Sequence, residues 1–162
     1  MPSHNPPLII KDGQVAENHW TVLAADATDV GTGQVIAPLS LWQQQPRNDV
    51  GVWLANDIDL TEVDPAIIQT PVIAIQFPGF MDGRGFSLAR LLRERYGYNG
   101  EIRAIGYVIR DQLCYLQRCG FTAFELDPTT NLEAAVASLQ DFSESYQAAT
   151  DQPQPLFRRR AL

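Results

Sequence analysis

Residues 70–95 read TPVIAIQFPGFMDGRGFSLARLLRER, and their reading decides the fold. Val72-Ile73-Ala74-Ile75 is apolar without alternation. That pattern suits a parallel strand covered on both faces. Pro71 is tolerated where a strand begins, and Pro78-Gly79 ends it. Gly83 and Gly85 let the chain turn tightly. Phe86, Ala89, Leu91, Leu92 and Tyr96 then recur at helical spacing. A loop that follows a parallel strand lies at the carboxyl edge of its sheet, where open α/β sheets place their ligands. FPGFMDGRG, residues 77–85, is therefore the first candidate for function.

Working outward, the same alternation repeats. Strands are predicted at 50–54, 72–77, 102–107 and 121–126. Helices are predicted at 60–68, 85–96 and 109–118, with a last one whose apolar face is Leu132, Ala135, Val136, Leu139, Phe142 and Tyr146. Gly97 and Gly120 stand where helices should stop. The fold class is α/β: a mainly parallel four-stranded βα repeat resembling part of a β/α barrel, with an N-terminal extension. The extension covers residues 1–48, the α/β core 49–147, and a flexible tail 148–162. Within the extension, Asp12-Gly13 marks a hairpin, and 20–23 and 35–39 read as short strands. Residues 39–45 read as a short helix. Four parallel strands cannot close as a barrel alone, so their edges need cover from the extension or from a second copy in a homodimer.

Composition narrows the function. The 162 residues are 45% hydrophobic, enough for a core, and the net charge of -7 argues against nucleic acid or anionic membrane as partner. No segment is long and apolar enough to span a bilayer, and MPSHNPPLII lacks the features of a signal peptide. The charge is uneven: residues 1–83 carry -8, residues 84–118 carry +4, and the remainder -3. A cationic middle points to an anionic small molecule or an acidic partner, or else to salt bridges with the acidic flanks. Lys11 is the only lysine among twelve basic residues, a bias that favours forked contacts with carboxylates and oxyanions. Cys114 and Cys119, five apart, make neither a CxxC motif nor a disulfide framework, and two cysteines exclude a self-contained four-cysteine cluster. They read as buried free thiols in a cytoplasmic protein.

Residues just after the strands should converge: Asn56 and Asp57, Asp82 and Arg84, Arg110 and Asp111, Glu125 and Asp127. This set holds carboxylates and arginines but no histidine, since His4 and His19 both lie in the extension. A catalytic triad and a zinc site are thereby disfavoured, and no metal or other cofactor is expected. The turn around Gly83, Arg84 and Gly85 can present amides and a guanidinium to an anion at a helix start, with Arg110 as a second cation. It is neither a P-loop nor a dinucleotide fingerprint. Asp82 either caps this helix and pairs with Arg84 or, with Asp111, is a candidate for moving a proton. Arg90 and Arg93 share a helix face and, with Tyr107, make a candidate partner surface.

Phe77-Pro78, Asp82-Gly83-Arg84-Gly85, Ser87, Ala89-Arg90, Leu92-Arg93, Gly100, Ile102-Arg103-Ala104, Gly106, Arg110-Asp111-Gln112-Leu113 and Arg118-Cys119-Gly120-Phe121 together resemble a bacterial family of uncharacterised proteins, domain of unknown function 934. The resemblance is close over 77–126 and looser over about 20–147. It implies genes beside assimilatory sulfite or nitrite reductases and the label "oxidoreductase probable". The implied function is an accessory protein of sulfite or nitrite reduction, binding the reductase, another acidic partner or an oxyanion. The alternative is a small-molecule enzyme or phosphate-binding protein that uses Asp82, Arg84, Arg110 and Asp111.

Overall fold

The computed structural model describes residues 7–79 and 83–140. Among these, the strands are β1 (Leu8–Lys11), β2 (Gln14–Glu17), β3 (Thr21–Val22), β4 (Val35–Pro38), β5 (Gly51–Ala55), β6 (Val72–Phe77), β7 (Glu101–Gly106) and β8 (Ala123–Phe124). The helices are α1 (Leu39–Gln44), α2 (Arg84–Glu94), α3 (Leu113–Cys119) and α4 (Leu132–Gln140). One curled mixed sheet, half of a barrel, runs β2-β1-β8-β7-β6-β5-β4-β3. Every pairing from β3 through β8 is parallel, and β1 is antiparallel to both β2 and β8.

The sheet is thus not the predicted four-stranded repeat. Residues 8–38 are not appended to it but supply both flanks. β4 pairs with β5, and Ile10-Lys11 pairs with Phe124-Ala123. The physical reason is that a four-stranded sheet leaves two rows of backbone N–H and C=O groups unpaired, and this chain satisfies them with its own N-terminal strands. The hairpin turns at Asp12 and Gly13, both with positive φ, as a two-residue turn requires. Residues 60–68 are not an α-helix either. Two 3₁₀ turns, Leu60–Glu62 and Pro65–Gln69, are each started by an aspartate, Asp59 accepting from the Thr61 N–H and Asp64 from the Ala66 N–H. Pro65 lacks the N–H that a continuous helix would need there.

Alternation in β6 and its neighbours builds two cores. Ile73, Ile75 and Phe77 join Val52, Leu54, Ala104 and the helices in the larger one. α2 contributes Gly85, Leu88, Ala89 and Leu92, a stripe at i, i+3, i+4 and i+7, while Leu91 stays exposed. Val72, Ala74, Ile36 and Ile105 form a smaller cluster on the opposite face, under Trp20, Val22 and Trp53. Trp53 Nε1 donates to the Leu23 carbonyl at 2.9 Å, which closes the chain after β3 over that face.

Arg103, polar in an apolar strand, is 1% exposed on this second face. Its Nε donates to Glu101 Oε1 at 2.7 Å and its Nη1 to Asn18 Oδ1 at 2.8 Å. Lys11 pairs with the other oxygen of Glu101 at 3.1 Å. A buried charge is tolerated when paired and hydrogen-bonded in this way. The pair also ties β7 to the N-terminal segment. Cys114 is half-buried and Cys119 is buried. The predicted face residues Phe142 and Tyr146 and the tail 148–162 lie outside the described residues.

Candidate functional site

α2 starts at Arg84 behind Gly83, and among the described residues no side chain caps it. The first N–H groups of a helix have no partner within it, and the helix dipole places partial positive charge there. Gly85 explains how this end comes so close to the sheet: a Cβ on it would sit 2.6 Å from the Phe77 ring. Only glycine permits that approach, so the first turn of α2 is set against the carboxyl end of β6.

Beside it, β5 ends at Ala55 and the chain turns through Asn56 and Asp57. Asp59 fixes the exit of this turn. Its Oδ1 accepts from the Thr61 N–H at 2.9 Å and the Thr61 hydroxyl at 2.6 Å, and the hydroxyl bond, first among the causes, holds its carboxyl below the usual carboxylate range. Asn56 is 6% exposed, and its Nδ2 is buried with no hydrogen-bond partner. Such a donor costs free energy until something accepts from it.

These two features meet. Asn56, Asp57, Ile58, Arg84, Ser87, Leu88 and Leu91 line one recess of about 250 Å³. Among the described residues, its polar wall combines an amide, a guanidinium and a hydroxyl at the first turn of α2, with Asp57 as the one carboxylate. The floor, Ile58, Leu88 and Leu91, is apolar. The arrangement can hold an anion and shield it from water on one side. Among the described residues, no group of three or more His, Cys, Asp or Glu side chains is placed to hold a metal ion.

The strand-end residues do not all gather here. Arg84 meets Asn56 and Asp57. Arg110 and Asp111 lie in an exposed 3₁₀ turn, Arg110–Gln112, after β7 and do not line the recess. Glu125 and Asp127 line a separate, larger cavity at the β8 end of the sheet. Asp82 lies outside the described residues. Gly83 and Gly85 serve the turn and the close packing of α2.

The two arginines read as one basic stripe behave differently. Arg90 is exposed and pairs with Glu94 at 3.3 Å. Arg93 turns inward: its Nε and Nη2 donate to the Gly120 carbonyl at 3.0 and 2.8 Å, and its Nη1 to Tyr98 O and Gly100 O at 2.8 and 2.7 Å. Burial lowers its pKa. A substantial part of the arginine pattern therefore has a structural use. Tyr107 is 48% exposed on the loop after β7.

Reading the sequence did not find Asn18 or the use of Arg103. The available signal was a lone arginine within an apolar strand, which demands a partner from elsewhere. Residues 51–157 match the model of a family described as bacterial protein of unknown function (DUF934). No curated protein matches the chain.

Proposed function

The chain belongs to the DUF934 family of bacterial proteins, and we propose that it is an oxyanion-binding accessory protein of assimilatory sulfite or nitrite reduction. One observation carries the oxyanion part: a buried Asn56 amide without a hydrogen-bond partner, in the same recess as Arg84 and Ser87 of the first turn of α2. The sulfur and nitrogen context rests on the family resemblance drawn from 77–126.

In this reading the guanidinium of Arg84 neutralises the anion. The first-turn amides, the Ser87 hydroxyl and Asn56 Nδ2 donate to its oxygens, and Asp57 accepts a proton that the anion still carries. Charge-assisted bonds of this kind are stronger than neutral ones and fix orientation. The exposed Arg90, paired with Glu94, and the exposed Tyr107 form the surface that would meet an acidic partner such as the reductase.

Calorimetric titration of the full chain with sulfite, nitrite, sulfate and phosphate tests the proposal. Saturable 1:1 binding of at least one of them is expected. Arg84→Ala should weaken it about tenfold or more, the range of a lost charge-assisted hydrogen bond. Absence of saturable binding by all four anions, or equal affinity in folded Arg84→Ala, would refute the oxyanion site. Co-purification with the reductase is a separate arm, and its failure alone would remove the reductase context while leaving anion binding standing.

A further inference from the structure

A second cavity lies away from the α2 recess, where the β1–β2 hairpin faces the chain from Glu125 to Glu133. It has about 640 Å³, within the size of ordinary small-molecule sites. Ile9, Val15, Leu126 and Leu132 give it apolar walls. These walls exist because the N-terminal strands join the sheet beside β8. The cavity lies between those strands and the loop that leads into α4.

Three polar side chains in its wall bond within the chain, and one buried oxygen does not. Asn18 Oδ1 accepts from the Trp20 N–H at 3.1 Å and from Arg103 at 2.8 Å. Asp127 Oδ1 accepts from the Thr129 N–H and hydroxyl at 2.9 and 2.6 Å. Asn131 Oδ1 accepts from the Ala134 N–H at 3.0 Å at the start of α4. Glu125 Oε2 is buried and accepts from nothing. No lysine or arginine is among the described residues that line the cavity, whereas Glu125, Asp127 and Glu133 all do. Arg103, which donates to Asn18 of this wall, is already paired with Glu101 at 2.7 Å. A buried carboxylate oxygen without a donor is costly, and a cation that brings both charge and N–H groups removes that cost.

We propose that this cavity binds a small organic cation, a primary ammonium on an apolar body, with the ammonium at the Glu125 carboxylate and the body against Ile9, Val15, Leu126 and Leu132. A bare metal ion fits less well, because the three carboxylates are not grouped as ligands and the walls are mostly apolar. The site is independent of the oxyanion recess, and it uses the N-terminal strands that lie outside the family match.

The test titrates n-hexylammonium and n-hexanol into the full chain by calorimetry, with Glu125→Gln and Val15→Trp alongside. The wild type should bind hexylammonium saturably and at least about tenfold more tightly than hexanol. E125Q should lose that preference while melting at the same temperature or higher, since it removes a partnerless charge. V15W, at a partly exposed wall position, should block both probes, and it decides the matter if E125Q does not fold. Equal affinity for the two probes, undiminished hexylammonium binding in folded E125Q or in V15W, or no saturable binding by the wild type would each overturn the proposal.

Discussion

The two ends of α2 carry the same kind of side chain in opposite situations. At the C-terminal end, Arg93 is half-buried, and its guanidinium is committed to the carbonyls of Tyr98, Gly100 and Gly120, with the Tyr98 ring 5.7 Å away. At the N-terminal end, Arg84 is exposed at a recess whose wall includes the Asn56 amide, which has no hydrogen-bond partner. One end satisfies carbonyls of the chain itself; the other borders a recess in whose wall the buried Asn56 amide has no hydrogen-bond partner. The contrast teaches that a run of arginines on one helix need not have one purpose. Arg93 holds the C-terminal ends of α2 and α3 together, and Arg84 lines a recess at the other end of α2.

The largest effect is expected where the chain is self-satisfied. Arg93→Met removes four hydrogen bonds and strands three carbonyls, and it should destabilise the fold by about 3–5 kcal/mol in urea titrations. Lysine should recover less than half of that, because an ammonium cannot span the same fork of carbonyls. A loss under about 1 kcal/mol in Arg93→Met would break the comparison, since surface substitutions stay in that range.

Gly120 comes next. It ends α3 with φ 115, and a Cβ there would lie 2.7 Å from Arg93 Cγ. Gly120→Ala should cost about 1–3 kcal/mol by the same titration.

The same end carries the pH dependence. Tyr98 is buried, and its hydroxyl donates to the Thr70 carbonyl at 2.9 Å. Burial, the largest cause, raises its pKa above the ordinary phenol value. The folded chain therefore keeps that proton to higher pH than the unfolded chain does. The associated stability is full below about pH 10 and declines as pH rises beyond it. Melting followed from neutral to alkaline pH should show this decline, and Tyr98→Phe should flatten it at a cost of about 1 kcal/mol at neutral pH.

Effects at the N-terminal end should be small on stability and specific to binding. Asn56→Leu removes the partnerless donor and should leave the melting temperature unchanged or raise it, with a gain of at most about 1 kcal/mol. Arg84→Ala should alter stability by no more than about 0.5 kcal/mol. Both should weaken oxyanion binding. A strongly destabilised Arg84→Ala would assign that arginine to the same structural role as Arg93.

The order from β5 to α4 was legible because strong periodicity marks each element: the unbroken run 72–75, the apolar spacing of α2, and glycine at 97 and 120. The N-terminal strands were not legible as part of the sheet. β3 is two residues long, and the parallel pairing of β4 with β5 and the antiparallel pairing of β1 with β8 are set by distant backbone groups that need partners, which no local pattern reports. The two 3₁₀ turns at 60–69 were hidden because they share apolar spacing with a helix over so short a span.

The strand-end rule located both candidate sites, but it could not say which residues meet. β5 and β8 are three strand spacings apart, roughly 14 Å, so Asn56 and Glu125 were bound to separate. The cavity beside Glu125 depended on the placement of the hairpin, and its buried oxygen on a missing donor that only the assembled fold reveals.

The central claim is that the start of α2 is a built oxyanion site, and its most direct test is a ¹⁵N-resolved NMR titration with sulfite that follows the backbone amides and the asparagine side chains. The account predicts saturable shifts concentrated at residues 84–87 and the Asn56 side-chain amide, lost in Arg84→Ala, with the Gly120 and Tyr98 amides unmoved. Shifts that leave residues 84–87 and Asn56 silent, or that persist unchanged in Arg84→Ala, would contradict it.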